Sequence, residues 1–258
     1  MLRDVGKQFG AHHVLKGINL DVPHGKRMGI IGPAACGKSV IAKLWCGLLA
    51  PTTGQVTTLG ADLARMAART AAPIRAQIGM LFQNYALFDF LTVLDNVAFP
   101  LLRQHVMPRD EVYDRAALRL RAVGLAGSEA KFPAQLSGGM KKRVGIARAT
   151  VAAPPLVIYD EPTAGLDPVT TQKMYDLLAA DHAAAGGTVI AISSDVLALA
   201  RFVDEVVFIY HGTVAYRGPA ATVEDAPDAR VRQFVRGELQ GPLTSPPAPP
   251  GHKESAAP

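Results

Sequence analysis

The stretch "GPAACGKS", Gly32 to Ser39, restricts the fold more than any other part of this 258-residue chain. It joins the apolar run "KRMGII" to "KSVIAKLWCGLL" (38–49), whose spacing predicts a helix. A strand that turns through small residues straight into a helix leaves several backbone N–H groups unpaired and pointing the same way. The helix N-terminus adds positive potential, so the turn suits an anion. The spacing fits G-x-x-x-x-G-K-[ST], in which the loop cradles nucleotide phosphates. Lys38 would reach the β and γ phosphates, and the Ser39 hydroxyl would help hold Mg²⁺. Gly32, Pro33, Ala34, Ala35, Cys36, Gly37 and Val40 complete the cradle.

A strand read from "LVIYDE" (156–161) supplies the acidic half of such a site. It is apolar on both faces, as expected in the middle of a covered sheet. A carboxylate at the end of a buried strand is costly unless it holds a cation or accepts hydrogen bonds. Asp160 is therefore expected to hold Mg²⁺ through water. Glu161, one residue on, is placed to orient or deprotonate an attacking water.

Short apolar strands alternate with amphipathic helices along the chain, the pattern of a sheet covered by helices. "GTVIAIS" (187–193) reads as another strand, and "EVVFIYHGTVAYRG" (205–218) as a hairpin turning at His211 and Gly212. Residues 84–153 read as a helical insertion. Within it Val112, Ala116, Leu120 and Val123 recur at helical spacing, with Gly124 as the stop. Residues 241–258 are rich in Pro, Ala and Ser, and a disordered tail is expected there. The expected fold is α/β: a mixed-sheet core with a helical insertion and a small antiparallel β part, spanning 1–240.

With 49% hydrophobic and 19% charged residues, the chain has ample core for one or two domains. No stretch approaches the roughly 20 apolar residues that cross a bilayer. The first ten residues carry no apolar run of the secretory kind. Cys36 and Cys46 make no disulfide framework. A net charge of +5 is modest, and no nucleic-acid partner is expected.

"LSGGMKKRVGIARA" (136–149) lies between the two halves of the site. It resembles the LSGGQ signature loop of the ATP-binding-cassette (ABC) ATPases. Ser137, Gly138 and Gly139 would open a helix and present N–H groups and a hydroxyl to an anion. The resemblance implies that Leu136, Ser137, Gly138, Gly139 and Met140 face the γ-phosphate of an ATP held by a second copy. It also makes Gln83 the glutamine that senses Mg²⁺ and water, Asp167 the aspartate of the loop that crosses the dimer, and Phe9 the aromatic stacked on adenine. Gaps of this length exclude the chromosome-structuring relatives, which insert long coiled coils. A single cassette excludes the two-cassette translation proteins.

"MLFQNYALFDFLTVLDNVAFPL" (80–101), "LSGGM" and "PDARVRQFVRGELQGP" (227–242) together resemble the ATPase subunits of the Mla phospholipid transport systems. That narrower resemblance implies a homodimer beneath two permease subunits at the cytoplasmic face of a bacterial inner membrane. A periplasmic lipid-binding subunit and a small STAS-domain partner go with it. Residues 225–240 would then be a dimer or partner segment. Tyr85, Leu87, Phe88, Phe90, Leu91, Val97 and Phe99 would form a permease groove or ordinary core. Lys141, Lys142 and Arg143 read as a solvated helix face.

Two positions depart from the family pattern. Ser194, in "ISSD", stands where a switch histidine is usual; its hydroxyl cannot take up a proton near neutral pH and would reach a phosphate only through water. Ala35 stands where glycine is usual, which is strained if φ is positive there. Two functional readings stay open: a transport ATPase with a weakened catalytic step, and a nucleotide-gated engagement module that hydrolyses little. Cys36, beside Lys38 at a helix N-terminus, is expected to favour thiolate.

Overall fold

The segments Leu156–Asp160 and Thr188–Ile192 are buried at every position, so they lie mid-sheet with cover on both faces. The computed structural model describes residues 1–105 and 107–244. The chain begins with β1 (Leu2–Phe9), β2 (His12–Leu20), β3 (Arg27–Ile31), α1 (Lys38–Trp45) and β4 (Thr53–Val56). It continues with α2 (Ala68–Arg75), β5 (Ile78–Leu81), α3 (Val93–Gln104), α4 (Arg109–Ala122) and α5 (Gly138–Thr150). Then come β6 (Leu156–Asp160), α6 (Pro168–Ala185), β7 (Thr188–Ile192) and α7 (Val196–Ala200). The hairpin β8 (Glu205–Tyr210) and β9 (Thr213–Pro219) precedes α8 (Ala229–Arg236).

One sheet has the order β5-β6-β7-β3-β8-β9, with all neighbours parallel except the β8–β9 hairpin. The second is antiparallel, β2-β1-β4. Side chains alternate across a strand, and here the alternation divides two cores. Val157, Tyr159, Val189, Ala191, Val206 and Phe208 face the helices α3 to α8. Ile158, Ile190, Ile192, Val207 and Ile209 face α1 and the small sheet. In the centre, a Cβ on Gly29 would lie 3.0 Å from both Leu199 and Val203, so glycine lets α7 and the turn after it close on β3.

Between β5 and β6 the chain carries α3, α4 and α5 packed together, with Val112, Ala116 and Leu120 buried. Gly124, at φ 72°, ends α4. Arg119 pairs with Asp181, tying α4 to α6, and its Nε donates to Thr150 at 2.8 Å. An apolar cavity of about 260 Å³ lies alongside that pair, away from the strand ends that carry the phosphate loop.

The first helix is shorter than its apolar pattern suggests. It stops at Trp45 because Gly47, at φ 64°, turns the chain and Leu48 N–H returns to the Lys43 carbonyl at 2.9 Å. At the other end, buried Gln233 holds the chain after α8: its Oε1 accepts from Leu243 N at 2.7 Å, and its Nε2 donates to Glu238 O at 3.1 Å. Residues 241–244 thus pack against α8, while the expected tail from 245 onward lies outside the described residues.

Candidate active site

Four neighbouring strands, β5, β6, β7 and β3, run parallel and end at one edge. Open α/β sheets gather ligands at that edge, because each strand there hands over to a loop and a helix. Gln83 follows β5, Asp160 and Glu161 end β6, Ser193 and Ser194 follow β7, and the cradle follows β3. Residues far apart in sequence are therefore brought together by strand order alone.

The cradle wraps the N-terminus of α1. Gly32 has φ 144°, and any Cβ there would strike the Ile209 carbonyl of β8. Ala35 is left-handed at φ 59°, a conformation that costs a non-glycine residue about 1 kcal/mol. The Lys38 ammonium donates to the Gly32 and Pro33 carbonyls at 2.7 and 2.8 Å. Its stem thus arches over the loop that it would share with phosphate. Cys36 corrects the thiolate expectation. It is 8% exposed, and burial pushes its thiol up, outweighing the opposite pull of Lys38. Both cysteines are buried and free.

Ser39 Oγ donates to Asp160 Oδ1 at 3.2 Å. Asp160 is 3% exposed; burial raises its pKa, the Ser39 bond opposes the shift, and the neighbouring Glu161 adds to it. A hydroxyl and a carboxylate side by side are hard oxygen donors of the kind Mg²⁺ takes, and their small number leaves room for phosphate oxygens and water. Val40 follows on α1, half-buried against the second core.

Glu161 has a left-handed backbone, φ 55°, and donates its N–H to the Ile192 carbonyl at 2.9 Å. Strain of this kind persists only where the surroundings impose it. Its carboxylate is held from the β7 side. Oε2 accepts from Ser194 N at 3.2 Å and from Ser194 Oγ at 3.1 Å. Ser194, where the resemblance leads one to expect an imidazole, thus grips the carboxylate, a contact not foreseen from sequence. Ser193 beneath it is fully buried and accepts from Asp195 N at 3.1 Å, and Asp195 caps α7. His182 and His211 lie elsewhere. The first faces the Gly25 carbonyl, and the second sits at the β8–β9 turn.

Ser137 is the N-cap of α5 and accepts from Met140 N at 3.3 Å. Gly138 and Gly139 form its first turn, and Leu136 is buried below. Lys142 corrects the solvated-face expectation: it is 2% exposed and donates to the Ala164 carbonyl, which lies between Glu161 and Asp167. Asp167 caps α6, accepting from Thr170 N at 3.0 Å and Thr170 Oγ1 at 2.6 Å.

Gln83 is exposed at the start of a loop whose Tyr85 and Ala86 are both left-handed, at φ 61° and 49°. Arg148, from the far end of α5, donates to both of their carbonyls at 2.7 and 2.8 Å and stacks over Phe88. Burial lowers its pKa to about 10. Sequence reading passed over Arg148, because nothing in a single basic helix position announces a backbone partner sixty residues away. Of the apolar run after Gln83, Val97 is core, whereas Phe90 is 78% exposed on a cluster with Phe88 and Phe99. Phe9 is exposed at the end of β1, with the Lys7 ammonium 4.9 Å above its ring. A cavity of about 250 Å³ beside the cradle is lined by His12, Val14, Pro33, Cys36, Tyr210 and His211; Phe9 is not among its walls.

Residues 15–164 match the ABC transporter family. The chain is 34% identical to the intermembrane phospholipid transport ATP-binding protein MlaF of Escherichia coli K12, over 94% of this chain and 90% of that one. It is 37% identical to the chloroplastic protein TRIGALACTOSYLDIACYLGLYCEROL 3 of Arabidopsis thaliana, over 93% of this chain and 74% of that one. It is 39% identical to the methionine import ATP-binding protein MetN of Caulobacter vibrioides, over 95% and 74%. Among solved structures it is similar to an ATP-binding cassette captured as a dimer with ADP and phosphate, at TM-score 0.80 and 31% identity, over 85% of this chain and 97% of that one.

Proposed function

Because the chain belongs to the ABC transporter ATPases, whose ATP hydrolysis is coupled to transport, we propose that it powers phospholipid movement between the two membranes of a bacterial envelope. The reading works as a homodimer with one ATP at each seam. The P-loop of one copy grips the phosphates and the signature loop of the other closes on them. The observation that carries the chemistry is the meeting of Lys38, Ser39, Asp160 and Glu161 at one edge of the sheet.

On binding, Lys38 exchanges the Gly32 and Pro33 carbonyls for phosphate oxygens. Mg²⁺ supplies charge neutralisation to the phosphates, and Ser39 with Asp160 are the residues that would hold it. Glu161 takes a hydrogen bond from the attacking water and orients it. Ser194 fixes the carboxylate but offers no imidazolium to the γ-phosphate, so turnover is slower than in a histidine-bearing site. Gln83, on the loop held by Arg148, reports the state of the nucleotide to the exposed Phe90 surface, where two permease subunits would dock. A periplasmic lipid-binding subunit and a STAS-domain protein complete the assembly at the cytoplasmic face of the inner membrane. Among the described residues no helix is long and apolar enough to cross a membrane, so attachment would come through those partners.

Lipid cargo is supported by the match to MlaF, which spans nearly all of both chains. Import of a small solute such as methionine is the second reading, favoured by the higher identity to MetN. The deciding experiment reconstitutes the chain with its permease subunits in vesicles and follows ATP-dependent transfer of labelled phospholipid and of methionine. Glu161→Gln is the control and is expected to abolish transfer. Methionine uptake without lipid transfer refutes the lipid reading, and transfer that persists in Glu161→Gln refutes the catalytic assignment.

A further inference from the structure

Lys142 is a buried cation that the reaction described above does not use. It sits in the second turn of α5, five residues after Ser137, and is 2% exposed. Its ammonium donates to the carbonyl of Ala164, midway between Glu161 and Asp167. Burying an ammonium is costly, and an apolar side chain of the same length would fill the space more cheaply. Here the ammonium gains two things at once: a backbone acceptor on the Glu161–Asp167 segment and the field of the Glu161 carboxylate. Burial holds the Lys142 pKa below the usual lysine value, and Glu161 opposes that shift.

We propose that Lys142 is a positioning residue that couples the signature loop, Ser137 to Met140, to the Glu161 loop of the same chain, so that the two ATP molecules of a dimer are hydrolysed cooperatively. The proposal rests on the dimeric reading given above. In that dimer the signature loop of one copy faces the ATP gripped by its partner, whereas its Glu161 serves the ATP in its own cradle. The two functions of one chain thus belong to different nucleotides. The Lys142–Ala164 hydrogen bond is a direct link between them. Gly139 runs close to the same segment, since a Cβ added there would lie 3.5 Å from Leu166. When α5 shifts to engage the partner's γ-phosphate, the bond draws the Ala164 segment with it and sets the Glu161 carboxylate. Coupling of this kind is reciprocal between the two sites.

The test is steady-state ATP hydrolysis by the full-length chain as a function of ATP concentration, for wild type, Lys142→Met and Lys142→Arg. Wild type is expected to show a Hill coefficient above unity. Lys142→Met is expected to melt at or above the wild-type temperature and to bind a fluorescent ATP analogue within about twofold of wild type, because the cradle is untouched. Its kcat should fall roughly tenfold or more, the scale of a misplaced catalytic group, and its Hill coefficient should fall to unity. Lys142→Arg, which restores a donor, should recover most of both. Lys142→Leu is read in place of the methionine variant if that one does not fold. A methionine variant with the wild-type Hill coefficient overturns the proposal, as does a wild type without cooperativity. A wild type that binds no ATP overturns the functional reading and this one with it; cooperative wild-type hydrolysis matched by the methionine variant overturns this one alone.

Discussion

Ser194→Ala removes one of the two hydrogen bonds that Ser194 makes to Glu161 Oε2 and leaves the backbone N–H in place. A hydrogen bond to a charged group contributes about 1.5–3 kcal/mol when buried. Ser194 is exposed and a second donor remains, so a loss of about 1 kcal/mol is expected, which is roughly fivefold in kcat. The KM for ATP should not move, because the cradle lies on another strand. A double-mutant cycle with Glu161→Ala locates the effect. Measured by single-turnover hydrolysis of radiolabelled ATP, Ser194→Ala should cost nothing further once the carboxylate is gone. Ser194→His should be at least roughly tenfold faster than wild type, since it restores a donor to the developing phosphate charge. An equal fivefold loss in both backgrounds would mean that Ser194 acts on the phosphate rather than on Glu161. A histidine variant no faster than wild type would refute the account of this position altogether.

Two further outcomes are expected. Alkylation of Cys36 should block nucleotide binding and be prevented by ATP, and its rate should keep climbing as pH passes the ordinary thiol range, because burial pushes the thiol up; fast labelling at neutral pH, or no protection by ATP, would contradict this. Asp160→Asn should stabilise the nucleotide-free protein at pH 7 while abolishing hydrolysis. The folded pKa of Asp160 lies above the unfolded one, so the native state binds more protons between the two values and stability falls as pH rises through that window. Thermal melts should therefore show a gain for Asp160→Asn above the folded pKa that shrinks to nothing below the unfolded one, and a constant gain at all pH values would refute the electrostatic cause.

Motifs whose chemistry depends on neighbours in sequence were legible from the chain alone. The cradle, the Asp160–Glu161 pair and the Ser137 cap each need a local turn or a strand end, and local pattern fixes those. The helix α4 was equally readable, because Val112, Ala116 and Leu120 share one of its faces and all three are buried. What escaped depends on contacts across the fold. Lys142 and Arg148 lie on the same helix as the signature and look like any solvated basic residue. Their partners are backbone carbonyls at Ala164 and at Tyr85 and Ala86, which no side-chain pattern marks. The end of α1 escaped for a nearer reason: the apolar spacing of 38–49 runs on past Gly47, the residue that turns the chain.

The same distinction explains why the site tolerates strain where it does. Ala35 and Glu161 both hold left-handed backbones without being glycine, and Tyr85 and Ala86 do so in succession. Each of these bends follows, within a few residues, a strand of the parallel sheet, where packed cores on both faces prevent the chain from relaxing. The cost, roughly 1 kcal/mol for each left-handed residue, is met by a rigid scaffold, and the result is a set of loops aimed at one edge. Arg148 secures one such loop and Lys142 another, both from α5, the helix that begins with Ser137. On the proposed dimeric reading the N-terminus of this helix would face a nucleotide, and a helix whose side chains hold the loops of Gln83 and Glu161 cannot shift without moving both. That single mechanical fact would make closure on ATP, alignment of the water and a signal toward the Phe90 surface parts of one motion.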